Sequence, residues 1–155
     1  MKLKTGQSAP NFKLESTDGS VFELDKQKKK NIILYFYPKD DTPGCTLESK
    51  DFSKLNSMIN KKNTVVFGVS KDSIESHLKF KSKFKFPFEL LSDENIKLIK
   101  ELGAWGEKSM YGKKFMGIKR TTVLIGKNQK VIKIWNNVKV KDHVKTVLDF
   151  IKTFN

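Results

Sequence analysis

One cysteine, Cys45, is the only thiol in this 155-residue chain. A single thiol cannot close an internal disulfide, which excludes a disulfide scaffold and suits a reducing compartment. The two histidines, His77 and His143, lie far apart in sequence. With one cysteine they fall short of a metal-binding ligand set, so no metal and no cofactor is expected. Arginine is scarcest of all the charged types: of 31 basic residues, only Arg120 is not a lysine. No apolar run approaches the roughly 18 to 20 residues that a membrane span needs. The opening Met1–Gly6 also lacks the apolar segment of a signal peptide, so no membrane partner and a cytoplasmic location are expected. Internal repeats and low-complexity linkers are absent as well.

What is present is core-forming material. Hydrophobic residues make up 37% of the chain and aromatics 11%, with twelve phenylalanines, too many for a disordered chain despite the charge. The length suits one domain over residues 1–155. The net charge of +14 invites a nucleic-acid reading, because clustered basic side chains attract phosphate. Their distribution opposes it. The lysines are spread among acids, the densest run, Lys26–Lys30, is short, and base-reading sites favour arginine forks. The expectation is no specific nucleic-acid partner and only non-specific adhesion at low salt.

The stretch Tyr35–Glu48, reading YFYPKDDTPGCTLE, organises the chain. Ahead of Cys45, residues 32–37 are apolar or aromatic without alternation, as in a strand buried on both faces, and Pro38 ends it. After Pro43 and Gly44, the apolar residues Leu47, Phe52, Leu55, Met58 and Ile59 recur as one face of a helix that fades near Asn60. Cys45 then falls in the first helical turn, where unpartnered N–H groups and the helix dipole favour an anion, so the thiol tends towards thiolate. The Thr42 hydroxyl, three residues earlier, is able to hold an oxygen substrate beside the sulfur. Pro38 would wall off water.

Elsewhere, segments 11–14 and 21–24 flank a Gly-containing turn and predict a hairpin. Residues 64–70 predict a second buried strand. Asp72 or Ser73 would cap a helix with Ile74, His77, Leu78, Lys81 and Phe84 on one face. A short strand over 86–91 leads to Ser92 or Asp93, either of which would cap a helix carrying Ile96, Leu98, Ile99 and Leu102. Residues 103–117, with four glycines and little periodicity, predict a loop over one end of the sheet. Within it Trp105 either lines the pocket or plugs the loop. Residues 120–125 and 131–135 predict a second hairpin, and Val144, Val147, Leu148 and Ile151 mark an amphipathic last helix. His77 is open to a catalytic or a packing role.

Arg120 stands out against the lysine bias. Where only positive charge is needed this chain uses lysine, so a retained arginine suggests a planar multidentate donor; a plain strand-edge arginine is the alternative. With Pro38, Thr42 and Cys45 in the pattern P-x-x-x-T-x-x-C, the sequence resembles the peroxiredoxins. Residues 36–48 are similar to the bacterioferritin comigratory protein, or Q-type, branch, and so are Gly6–Phe12, Val69–Ser73, Ser76–His77 and Arg120–Ile125. The resemblance runs almost end to end. It implies an α/β, thioredoxin-like fold: a central mixed β-sheet flanked by helices, with an N-terminal β-hairpin. The element order agrees, and Cys45 would lie at a strand's carboxyl end, where open α/β sheets place their sites.

The implied activity is thiol-dependent reduction of hydrogen peroxide and alkyl hydroperoxides in antioxidant defence. Cys45, Thr42 and Arg120 would be catalytic, with Pro38, Gly44 and Glu48 around the substrate. Many members of the branch carry a resolving cysteine five residues on, but here that position is Lys50. A Cys45 sulfenic acid would therefore need an external thiol, from thioredoxin or from glutaredoxin with glutathione. The branch also implies a monomer. A disulfide reductase is disfavoured because Glu48 stands where a Cys-x-x-Cys pair would have its second thiol. A thiol-based redox sensor or chaperone-like binder is the remaining rival.

Overall fold

The strand ahead of the cysteine is the middle of the molecule because it has no polar face to offer water. The computed structural model describes residues 3–154 and contains, in order, β1 (Lys13–Ser16), β2 (Val21–Glu23), β3 (Asn31–Phe36), α1 (Pro43–Asn60) and β4 (Thr64–Ser70). There follow α2 (Ile74–Phe84), β5 (Glu89–Ser92), α3 (Lys97–Glu101), β6 (Trp105–Met110), β7 (Lys113–Ile118), β8 (Thr121–Ile125), β9 (Val131–Trp135) and α4 (His143–Phe154). Seven strands form one sheet in the order β2-β1-β5-β4-β3-β8-β9. β3 pairs parallel with β4 and antiparallel with β8, so the sheet is mixed.

Every residue of β3 is buried. Ile32, Leu34 and Phe36 join one core, with Leu98 and Ile99 of α3. Ile33, Tyr35 and Tyr37 join the other, with Phe52 of α1, Phe80 of α2 and Val147 of α4. Two apolar faces explain the unalternating run, since successive side chains of a strand point to opposite sides. β4 follows the same logic, and Gly68 lets it close on Tyr35: a Cβ there would sit 2.8 Å from that ring and from Leu90.

Four local expectations need correction. Residues 103–117 are no loop: β6 and β7 pair antiparallel through a Tyr111–Gly112 turn with φ of 52° and 78°. Most residues from Glu107 to Met116 are exposed. With neither face of the ribbon covered, there was no alternation to read. On α1, Leu47 and Met58 are exposed at 51% and 42%. The buried face is instead Cys45, Glu48, Ser49, Phe52, Asn56 and Ile59, half of it polar, with Glu48 meeting Arg120 and Ser49 the Tyr35 hydroxyl. On α2, Leu78 is exposed and Phe80 takes the core position beside His77. Finally, α3 is only five residues long and its N-cap Ile96 makes no side-chain cap. Asp93 still serves it from a distance, accepting the Ile99 N–H at 2.8 Å. On α2 the capping expectation resolves to Ser73, which accepts from the Ser76 N–H.

Candidate active site

Cys45 is the third residue of α1, which begins where Pro43 fixes a helical φ and Thr42, with φ −98° and ψ 154°, stays extended. The thiol is fully buried. The Thr42 hydroxyl donates backwards to the Lys39 carbonyl at 2.9 Å. That bond uses its hydrogen and leaves its lone pairs to accept. Gly44 and Pro38 are both half-buried beside them.

Arg120 enters from the residue preceding β8. Its Nη2 donates to Cys45 Sγ at 3.3 Å and its Nη1 to Glu48 Oε1 at 3.0 Å. Gly44 makes room for this approach, because a Cβ at that position would lie 2.7 Å from Nη2. The fork thus spans two successive turns of α1, from residue 45 to residue 48, which sit on one helical face. Lysine, with a point charge, could not do both.

Glu48 is buried, and that burial pushes its carboxyl up from 4.5 to about 7 even though the Arg120 cation pulls it down. Its Oε2 has no hydrogen-bond partner. Desolvation therefore outweighs the ion pair, and Glu48 sits poised between charged and neutral near neutral pH.

The structure brings Cys45, Glu48, Gly44 and Arg120 into one constellation, with Thr42 and Pro38 on the loop leading into it. His77 lies apart in the core, its Nδ1 against Asp40 and its Nε2 against the Leu91 carbonyl at 2.9 Å. Trp105 packs against the α3-side core and lines a cavity of about 340 Å³ with Lys100, Lys119 and Asn136. That lining includes none of the residues around the thiol. Lys50 is exposed, its ammonium 5.0 Å from the centre of the Phe84 ring.

Two features escaped sequence reasoning. Lys108 of β6 donates to the Ile118 carbonyl at 2.9 Å. Burial and then Arg120 push its ammonium below the ordinary lysine range, while Cys45 pulls the other way, so it belongs to the electrostatic surroundings of the thiol. One lysine among thirty carries no signal. The second is the set of buried polar side chains around Asp40. Ligand atoms of Asp40, Asp72 and His77 lie within 4.8 Å of one another, a spacing a metal ion could use. Each is already engaged by protein donors or acceptors.

A mixed sheet whose central strand leads through a loop to a helix-borne thiol, met by an arginine from the residue before a neighbouring strand, fits a thiol peroxidase of thioredoxin-like fold. Residues 5–134 match the AhpC/TSA family, and the chain belongs to it. It is 45% identical to Peroxiredoxin Bcp of Bacillus subtilis over 98% of this chain and 97% of the relative. It is also 45% identical to a putative peroxiredoxin of Coxiella burnetii, over 96% and 98% of the two chains. Among solved structures, a cysteine-to-serine mutant of Xylella fastidiosa PrxQ superposes with a TM-score of 0.93 at 34% identity, covering 99% of this chain and 98% of that one. The Xanthomonas campestris bacterioferritin comigratory protein, described for its alkyl peroxide reduction, gives 0.87 at 37% identity over 92% and 91%. By family, then, this chain is a thiol-dependent peroxidase, an oxidoreductase.

Proposed function

We propose that Cys45 is the peroxide-reacting thiol, that Arg120 and Thr42 complete its site, and that a thiol from another molecule restores it. The observation that carries this reading is the Arg120 fork, one arm on Sγ at 3.3 Å and the other on Glu48 at 3.0 Å. The guanidinium stands ready for the charge that develops on peroxide oxygens. The thiolate attacks the terminal oxygen of the hydroperoxide. An S–O bond forms, the O–O bond breaks, and the departing oxygen takes a proton to leave as water or an alcohol. Thr42, whose hydrogen is held by Lys39, accepts the peroxide hydroxyl, while Arg120 and the N–H groups at Gly44 and Cys45 donate. Glu48 keeps the guanidinium in plane, and Pro38 shields the loop side from water.

The resulting sulfenic acid has no second cysteine to attack it, because Cys45 is the only one in the chain. In Xanthomonas campestris Peroxiredoxin Q, by contrast, two different cysteines have been replaced by serine. A one-cysteine cycle follows here, with thioredoxin, or glutaredoxin with glutathione, as the external reductant and sulfinic acid as the product of excess peroxide. Antioxidant defence is the role that fits.

The test mixes reduced protein with one equivalent of hydrogen peroxide in the presence of dimedone and follows the mass of the Cys45 peptide. The reading expects labelling far faster than a free thiol reacts, and none in Cys45→Ser. Reaction at the rate of an ordinary thiol would overturn it in favour of a redox-sensing role. Adding thioredoxin or glutathione with glutaredoxin then identifies the reductant by which one restores turnover.

A further inference from the structure

The loop joining β3 to α1 is tied to α2 by an exposed Asp41–Lys83 ion pair at 2.7 Å and, in its buried part, by Asp40, which is held by α2 and the segment that precedes it. The Asp40 side chain is nearly buried. Its backbone N–H donates to Asp72 Oδ2 at 2.9 Å. Its Oδ1 accepts from the Tyr37 hydroxyl at 2.6 Å, and its Oδ2 from the Ser76 hydroxyl at 2.8 Å. His77 Nδ1 lies 3.0 Å from Oδ1 and 2.8 Å from Oδ2. One residue along the loop, the Lys39 carbonyl receives the Thr42 hydroxyl.

Counting hydrogens assigns a proton that sequence alone does not reveal. The Nε2 partner is a backbone carbonyl, which only accepts, so Nε2 carries a hydrogen. A neutral ring would then turn the bare lone pair of Nδ1 towards a carboxylate, and two acceptors cannot bond. One more proton must lie between His77 and Asp40. Both carboxylate oxygens already accept hydroxyl hydrogens, and Nδ1 approaches both of them. The Tyr37 oxygen, its own hydrogen spent on Asp40, is a third acceptor 3.4 Å from Nδ1. Three acceptors around one ring nitrogen favour the proton on that nitrogen.

We propose that Asp40 and His77 form a buried carboxylate–imidazolium latch between α2 and the β3–α1 loop, and that through Lys39 it positions Thr42 for reaction at Cys45. The latch rests on the peroxidase reading above. Both groups are positioning residues, since neither touches the thiol. A buried ion pair costs desolvation and is a poor source of stability, whereas its directional bonds fix one geometry of the loop. Asp72, hydrogen-bonded to Ser70, and Tyr37, kept neutral by its burial, are the other titratable groups facing the pair.

The experiment has two arms. In ¹⁵N imidazole NMR at neutral pH there are only two rings to assign, His77 and His143. The latch expects protons on both nitrogens of His77; an unprotonated Nδ1 would overturn the shared-proton assignment. In the second arm, His77→Asn places an amide where Nδ1 stands and keeps the Asp40 bond. His77→Gln reaches the Leu91 carbonyl instead and loses Asp40. Both leave a comparable gap in the core, so a purely structural role affects them alike. The latch expects His77→Gln to slow sulfenic acid formation by about tenfold or more, as misplaced groups do, with His77→Asn near wild type. Alkylation of Cys45 by iodoacetamide, which does not use Thr42, should change little in either. Equal peroxide rates in the two variants would overturn the positioning role. If neither variant folds, Asp40→Asn serves: its amide donates to Nδ1, so the ring should drop to one proton, and retention of two would sink the latch. A wild-type protein slow towards peroxide would instead sink the peroxidase reading and leave the NMR result standing.

Discussion

Arg120 and Gly44 form a matched pair, because the absence of one side chain admits the other. Replacing Arg120 by lysine keeps the charge and removes the fork, so Sγ and Glu48 can no longer be held together. Peroxide reactivity measured by dimedone trapping should fall by about a hundredfold or more, the scale for removing one preorganised donor. Gly44→Ala tests the same contact from the other side. The added Cβ would stand 2.7 Å from Nη2, so the guanidinium must move off the sulfur. Gly44 does not have a positive φ, and alanine is the better helix former by up to about 1 kcal/mol. Thermal unfolding should therefore show equal or higher stability while the peroxide rate falls by about tenfold or more. An alanine variant as fast as wild type would mean that the arginine's position does not set the peroxide rate.

Elements of this molecule are held at close approaches, and one of them lies between the paired strands β3 and β4 at Tyr35 and Gly68. Gly68→Ala would place a methyl 2.8 Å from Tyr35 Cζ and Oη and from Leu90. The Tyr35 hydroxyl, which bonds Ser49 of α1 at 2.9 Å, would be displaced with the ring. Overpacking of this kind costs about 1–3 kcal/mol, measurable as a lowered urea midpoint with unchanged m-value. At this scale the sequence was most readable where the covered face of an element is apolar. β3, β4, β8, β9 and α4 each present an apolar set to a core, and their limits follow from it. The β6–β7 ribbon was not readable, since a strand pair exposed on both faces leaves no periodicity, and Tyr111–Gly112 resembles any glycine-bearing loop. The α1 face was misread for the opposite reason. Glu48 and Ser49 are buried by partners that arrive from residues 120 and 35, and no local pattern announces a distant arginine or tyrosine. Cys45, Thr42 and Arg120 were legible as chemistry: a lone thiol at a helix start, a hydroxyl three residues earlier, and one arginine among lysines. The hydrogen-bond set around Asp40 was not, because its members are common polar residues until the fold brings β3, its loop and α2 together.

For the whole molecule, two buried titratable groups pull acid stability in opposite directions. His143 bonds Thr122 at 2.8 Å, and burial pushes its value down from 6.5 to about 4. Between those values the unfolded chain binds a proton that the folded chain refuses, so this group makes stability fall as pH drops from 6.5 to 4. Glu48 is raised from 4.5 to about 7, so there the folded chain holds a proton that the unfolded chain releases. Its contribution makes stability rise as pH drops from 7 to 4.5. Over the shared window, pH 6.5 to 4.5, each slope is limited to about 1.4 kcal/mol per pH unit, and with opposite signs they largely cancel. The remaining carboxylates and the self-repulsion of a chain of net charge +14 act alike in wild type and variants, so differences between them isolate these two groups. Glu48→Gln should lose stability on acidification faster than wild type across that window. His143→Gln should lose it more slowly, or gain. Urea unfolding of the three proteins at half-unit steps of pH measures both differences. Parallel curves would mean that neither group is held away from its ordinary value, and that the poised state of Glu48 beside Arg120 is not a property of the folded protein.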